Sequence, residues 1–267
     1  LNAKSKIPYN RFYVNVIAHG AKNYDLHIML KAMTKEFADD AEKITVIASS
    51  IEKYIAIELG AMKFLDSCQF LTASLQSLSD NLTADGFDHL RHTRRHFSDI
   101  DALKLVSKKG IYPYEYMDHP KKMLETSLPP IESFYSSLND QHISPEDYEF
   151  AKSVWKFFNV KTLCDYHNLY VSVDVLLLAD VFERFRDVAM NDYKIDPCAH
   201  YTLPGLSWSA MLRHSGCNLE LITDPDMSMF FEDNLRGGVS QVIIYSYNFL
   251  YRSYNFLYRS YNFLYCS

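Results

Sequence analysis

Residues 11–33, RFYVNVIAHGAKNYDLHIMLKAM, change within one short stretch from a strand pattern to a helix pattern. The first half, RFYVNVIAH (11–19), is apolar and rich in β-branched residues, which is typical of a strand. In the second half, NYDLHIMLKAM (23–33), the apolar residues return at helical spacing. A strand that leads directly into a helix predicts an α/β layer fold for this part of the chain.

Beyond this stretch the chain continues to alternate between the two patterns. Strand patterns occupy residues 42–49 and 53–67, with a turn near Gly60. Helix patterns follow at residues 72–82, 87–97, 144–158, 165–193 and 206–216, and a last one ends at residues 234–238. Apart from its one helix pattern, the region 83–143 contains polar stretches and prolines, which predict long loops.

The bulk composition limits the kind of partner that the chain can bind. Its 267 residues are enough for one large domain or two small ones. The net charge of −6 argues against a general nucleic-acid coat, which needs clustered Lys and Arg. The charge is compatible with an acidic, metal-dependent site that acts on nucleic acid, because the metal ions then supply the local positive charge.

The cysteines and the apolar runs bear on the environment of the chain. Five cysteines are present and none forms a CxxC pair, so no disulfide framework or zinc ribbon is indicated and a reduced, intracellular compartment is expected. No run of about 18 apolar residues could span a bilayer, so no membrane partner is expected. The chain begins at Leu1 rather than Met, so a fragment or an incomplete gene model is expected.

An aspartate, Asp174, lies inside the apolar run LYVSVDVLLLADVF (169–182). Because burying a lone carboxylate is costly, Asp174 is expected to open onto a cleft or to meet a cation. Tyr170 precedes it by four residues, which places both side chains on one face of a predicted helix. A two-metal phosphodiester hydrolase needs such a pair, a carboxylate that holds a metal ion and a phenol that orients water. The alternative is an ordinary acidic residue at the rim of a core helix, since Y-x-x-x-D recurs by chance.

A second candidate, Asp25, follows the first predicted strand and opens the first predicted helix. Carboxylates at strand ends are well placed to meet metal ions in a cleft of an α/β sheet. The alternative is a helix-start aspartate that the helix dipole favours.

Six segments resemble, in family order, motifs of the exonuclease region of family B DNA polymerases of the protein-primed, organellar, viral and Maverick or Polinton transposon type. The segments are HGAKNYD (19–25), FLDSCQFLTASLQSL (64–78), KKGIYPYEYM (108–117), YVSVD (170–174), YTLPGLSWSAML (201–212) and LRGGVS (235–240). The resemblance implies a ribonuclease H-like fold, a mixed sheet flanked by helices, with 3′–5′ proofreading that uses two Mg²⁺ or Mn²⁺ ions.

The resemblance also assigns roles to particular residues. Asp174 would be a direct metal ligand, Asp25 would help to hold the second metal, and Tyr170 would position the nucleophile. The residues expected to contact DNA are Ser74, Leu75 and Lys109 at the single-stranded 3′ end of the primer, and the glycine pair Gly237 and Gly238. The partners implied are DNA and, for the full-length protein, a terminal priming protein.

The same resemblance divides the chain into three parts. Residues 1–193 would be a partial exonuclease domain, residues 194–244 a bridge to a polymerase domain, and residues 245–267 a YNFLYRS repeat outside the functional domain. The chain would be truncated at its N-terminus, so that the upstream first exonuclease motif, D-x-E, is missing, and it would end before the polymerase palm. Gly20 also stands where the family has an asparagine that contacts the substrate strand.

These departures leave more than one function open. The chain could be the proofreading part of a DNA-directed DNA polymerase, in the nucleus or associated with a virus or mobile element. It could instead be a catalytically inactive, transposon-derived relic that at most binds single-stranded DNA. An unrelated phosphatase or nuclease is a third reading, which fold-level analogy alone would support.

Overall fold

A computed structural model describes residues 13–37, 44–50, 52–137, 140–220 and 222–235. The chain divides into two compact units, residues 1–217 and residues 218–267. The predicted sites Gly237 and Gly238 and the YNFLYRS repeat lie outside the described residues.

The first unit contains a mixed sheet of four described strands in the spatial order β1-β4-β3-β2. The strands are β1 (Val14–Ala18), β2 (Ile44–Ser50), β3 (Lys53–Leu59) and β4 (Met62–Asp66). β1 is parallel to β4, whereas the β2–β3 and β3–β4 pairs are antiparallel. The turn between β3 and β4 contains Gly60 with a φ of +58°, a left-handed conformation that glycine adopts without steric cost.

The described α-helices surround this sheet or follow it in the chain. They are α1 (Asp25–Glu36), α2 (Leu75–Thr83), α3 (Arg91–His96), α4 (Ile100–Val106), α5 (Pro145–Phe157), α6 (Leu163–Tyr193), α7 (Leu203–Ser215) and, in the second unit, α8 (Pro225–Asn234). The predicted α/β class with a mixed sheet and flanking helices is therefore confirmed. Within the described residues no helix is both long and apolar enough to cross a membrane.

Helix α6 is the longest described element, and its residues contribute to several hydrophobic clusters. Thr162 and Asp165 form a reciprocal capping box at its start, and Lys194 ends it in a left-handed conformation. Along its length, Leu163, Leu177 and Phe182 enter three different hydrophobic clusters. These contacts fix the rotation of α6, and with it the direction of its polar side chains.

The interpretation of residues 83–143 as loops with one helix was wrong in part, because α4 also forms there. Asp99 caps its first turn through the N–H of Ala102, and Leu103 and Val106 are buried against the cluster that contains Leu177. A helix of seven residues is too short to be stable by propensity alone, so tertiary burial rather than local pattern decides it.

Candidate functional site

The candidate site begins where the parallel strands β1 and β4 end side by side. Their register pairs Ala18 with Asp66, so the residues that follow each strand, His19 and Ser67, are neighbours. The Ser67 hydroxyl donates to the Ala18 carbonyl at 2.9 Å and lies 2.9 Å from His19 Nδ1. Because that hydroxyl has only one proton, it accepts from His19 Nδ1 when it donates to Ala18.

Charged groups from several segments surround the His19 ring. Burial lowers the pKa of His19, with a further lowering from Lys109, while Asp66, the backbone of Ala73 and Asp174 act in the opposite direction. The imidazole is therefore neutral at neutral pH. These influences place the ends of β1 and β4, the loop before α2, the segment after α4 and helix α6 within electrostatic reach of His19.

Asp174 is the carboxylate that helix α6 brings to this place. Its Oδ1 atom is buried and has no hydrogen-bond partner among the described residues. Burial raises the pKa of Asp174, although the Tyr170 hydroxyl, Lys109 and His19 all lower it. A buried carboxylate oxygen is costly without a cation or a donor, and the expectation that Asp174 meets a positive charge stays a prediction.

Tyr170 lies one helical turn before Asp174 and is buried. Its hydroxyl is hydrogen-bonded to the hydroxyl of Tyr114, and its ring stacks on Tyr112 at a centroid distance of 4.9 Å. A Cβ added to Gly110 would lie 2.8 Å from the Tyr170 ring, so only glycine fits there without displacing it. Burial, followed by the bond to Tyr114, raises the pKa of Tyr170, which keeps the phenol protonated.

Lys109 and Ser74 belong to the two segments, after α4 and before α2, whose residues influence His19. The backbone N–H of Lys109 donates to Gln76 Oε1 at 3.0 Å, which ties this segment to α2. Ser74 caps α2 by accepting from the Ser77 N–H at 3.2 Å, and it directly follows Ala73, whose backbone influences His19. Leu75, in contrast, is only 7% exposed and packs in the helical core, so its predicted contact with DNA stays a prediction.

Asp25, the second predicted metal ligand, lies at the start of α1, and its role at a metal stays a prediction. It is exposed in the first turn of α1, where an acidic residue suits the helix dipole. Among the described residues, no group of three or more His, Cys, Asp or Glu side chains is close enough to hold a metal ion. The unpartnered oxygen of Asp174 fits one ligand bond to a cation, but the described side chains do not complete a two-metal site.

Sequence reasoning missed the contributions of His19, Ser67 and Tyr114. The signal for Ser67 was present, because it is the last residue of the predicted strand segment 53–67. Only the parallel pairing of β1 with β4, however, shows that the two strand ends meet.

The described region thus defines an α/β domain with a mixed sheet, consistent with a ribonuclease H-like exonuclease domain. The chain belongs to the family of type B DNA polymerases, organellar and viral, which matches residues 8–258. The matched range extends into the YNFLYRS repeat. Neither a curated protein nor a solved structure matches the chain.

Proposed function

We propose that this chain contributes the proofreading 3′–5′ exonuclease region of a family B DNA polymerase and binds the single-stranded 3′ end of a primer. The observation that carries this proposal is the buried, unpartnered Asp174 oxygen, with the protonated Tyr170 one turn away and Lys109 within electrostatic reach. Family membership supports DNA as the partner.

We expect each residue of the site to have a distinct role. Lys109 would pair with a backbone phosphate, since its charge acts on both Asp174 and His19. The Tyr170 hydroxyl, held by Tyr114, would donate a hydrogen bond that orients a water. Asp174, with Asp25 as the second candidate, would hold Mg²⁺ or Mn²⁺, and such ions when bound activate water and neutralise phosphate charge.

The first experiment tests binding by fluorescence anisotropy with a short, 5′-labelled oligothymidylate in the presence of Ca²⁺. Lys109→Ala is expected to weaken binding by several-fold and to reduce its salt dependence by about one unit of slope. Lys104→Ala is the matched control, because it removes the same charge from an exposed lysine that pairs with Asp101 on α4. Equal effects of the two substitutions would reject the proposed role of Lys109.

A second candidate function is a catalytically inactive relic that binds single-stranded DNA. It is favoured by the incomplete set of metal ligands among the described residues and by Gly20 in place of asparagine. Incubating the 3′-single-stranded substrate with Mg²⁺ or Mn²⁺ separates the two functions. Trimming that Asp174→Asn abolishes supports the exonuclease, whereas binding without any trimming supports the relic.

A further inference from the structure

The turn between β1 and α1 carries His19 and leads to Asp25, so its conformation sets the position of two candidate site residues. Gly20 in this turn is left-handed, with a φ of +78°, and is followed by a short 3₁₀ helix at Ala21–Asn23. The backbone N–H groups at such a turn have no partner within α1 and need an acceptor from elsewhere.

Asp66, the last residue of β4, supplies that acceptor. Its Oδ1 accepts from the Gly20 N–H at 2.9 Å and its Oδ2 accepts from the Lys22 N–H at 2.8 Å. Oδ1 also accepts from the Cys68 N–H at 2.9 Å. The residue is 1% exposed, so the carboxylate is enclosed and all its bonds go to backbone donors.

We propose that Asp66 is a positioning residue of the candidate site, which fixes the β1–α1 turn and thereby the place of His19 and the start of α1. This proposal rests on the proposed function of the site. Asp66 and Ser67 act on the turn from two sides, since Asp66 holds the backbone after His19 and Ser67 holds the His19 ring and the carbonyl before it. Both carboxylate oxygens of Asp66 accept hydrogen bonds from backbone N–H groups, whereas Asp174 Oδ1 has no hydrogen-bond partner among the described residues.

A purely local role for Asp66 would be to cap the 3₁₀ helix Ser67–Gln69 through the Cys68 N–H. That role needs only the hydrogen bond from the Cys68 N–H, two positions along the chain. The hydrogen bonds from Gly20 and Lys22 instead connect Asp66 to residues 46 and 44 positions away. Two substitutions separate these roles. Asp66→Ser keeps a side chain that can cap but cannot reach the turn, and Asp66→Asn keeps the volume but presents an NH₂ group to one of the N–H donors.

The experiment measures amide hydrogen exchange by NMR and oligothymidylate binding for the full chain and its variants. Asp66→Ser is expected to accelerate exchange at both Gly20 and Lys22 by at least about tenfold, because both hydrogen bonds to a charged acceptor are lost; Asp66→Asn is expected to do so at the one N–H group that faces its NH₂. Oligonucleotide affinity is expected to fall by about fivefold or more in both. Asp66→Ser should retain the overall fold by circular dichroism, which keeps the test valid if Asp66→Asn does not fold.

His19→Ala provides the matched comparison, since it should weaken oligonucleotide binding while leaving exchange at Lys22 unchanged. Unchanged exchange at Gly20 and Lys22 in Asp66→Ser would overturn the proposal. Faster exchange with undiminished DNA affinity would also overturn it, because Asp66 would then be structural only. If the unsubstituted chain does not bind DNA, the proposed function fails and the role of Asp66 in the site fails with it, while the exchange data still report whether Asp66 holds the turn.

Discussion

The carboxylate of Asp174 experiences opposing influences from its surroundings. Burial raises its pKa, and the neighbouring Tyr170, Lys109 and His19 offset only part of that rise. Without a bound cation, ionised Asp174 therefore costs the folded chain free energy at neutral pH. This cost is what a ligand for the unpartnered oxygen would relieve.

Asp174→Asn is expected to raise the melting temperature at pH 7 in a chelating buffer. A carboxyl with a raised folded pKa binds its proton more tightly when folded, so stability falls as pH rises from the ordinary pKa of 3.8 to the folded value. The gain should be at most a few degrees, about 2–4 °C per kcal/mol for a domain of this size. It should vanish below pH 3.8, where both states are protonated. A lower melting temperature at pH 7 would mean that the Tyr170 hydroxyl and Lys109 outweigh burial.

Gly20→Asn is expected to strengthen single-stranded DNA binding without disrupting the fold. The left-handed conformation at Gly20 is one that asparagine tolerates better than most residues, and a Cβ there would meet no atom within 4 Å. Some backbone strain remains, of about 1 kcal/mol. Gly20→Ala is the control, because it carries similar strain without the amide. Oligonucleotide anisotropy and urea denaturation check both effects, and equal affinity of the two variants would show that the amide makes no contact.

At the scale of elements, Asp180 on helix α6 substitutes for the missing cap of α3. Leu90 at the N-cap position has no side chain that can accept a hydrogen bond. The Asp180 carboxylate instead accepts from the His92 N–H at 2.6 Å, from the Thr93 N–H at 2.9 Å and from the Thr93 hydroxyl at 2.7 Å. A buried acidic residue on one helix therefore determines where another helix begins.

Asp180→Ala is expected to lower the free energy of unfolding by about 2–4 kcal/mol, because two buried donors of Thr93 and the partly buried N–H of His92 lose their acceptor. Urea denaturation measures the loss, and amide exchange should localise it to α3. Asp187→Ala is the matched control, since it removes an exposed ion pair with Arg91 and should cost less than about 1 kcal/mol. A similar loss in both variants would assign the effect to charge rather than to the cap.

At the scale of the whole first unit, two polar contacts fasten the segment after α6 to the rest of the fold. Lys63 on β4 donates to the Cys198 carbonyl at 2.9 Å and lies 4.0 Å from the centre of the Tyr201 ring. Arg186 on α6 binds Asp196 through two nitrogens, at 3.0 and 2.5 Å. The Lys63 contact joins residues 135 positions apart, so it attaches the segment after α6 to the sheet.

Lys63→Met and Arg186→Met are expected to be non-additive, because each contact holds the same segment when the other is lost. The double variant should lose at least about 0.5 kcal/mol more than the sum of the single losses. Urea denaturation of the unsubstituted chain, the two single variants and the double variant completes a double-mutant cycle. Amide hydrogen exchange at residues 196–201 should be faster in the variants. Additive losses would indicate that the two contacts hold the segment independently.

Local pattern in the sequence determined most of the secondary structure and one part of the site. The strands and the longer helices follow from apolar spacing, and Tyr170 and Asp174 share a face because residues four apart on a helix must do so. What only the tertiary structure decided involves groups distant in sequence. The pairing of β1 with β4 brings Asp66 and Ser67 to His19, and burial places Leu75 in the core. Spacing reports short-range geometry alone, whereas strand register and desolvation arise only when distant segments pack together.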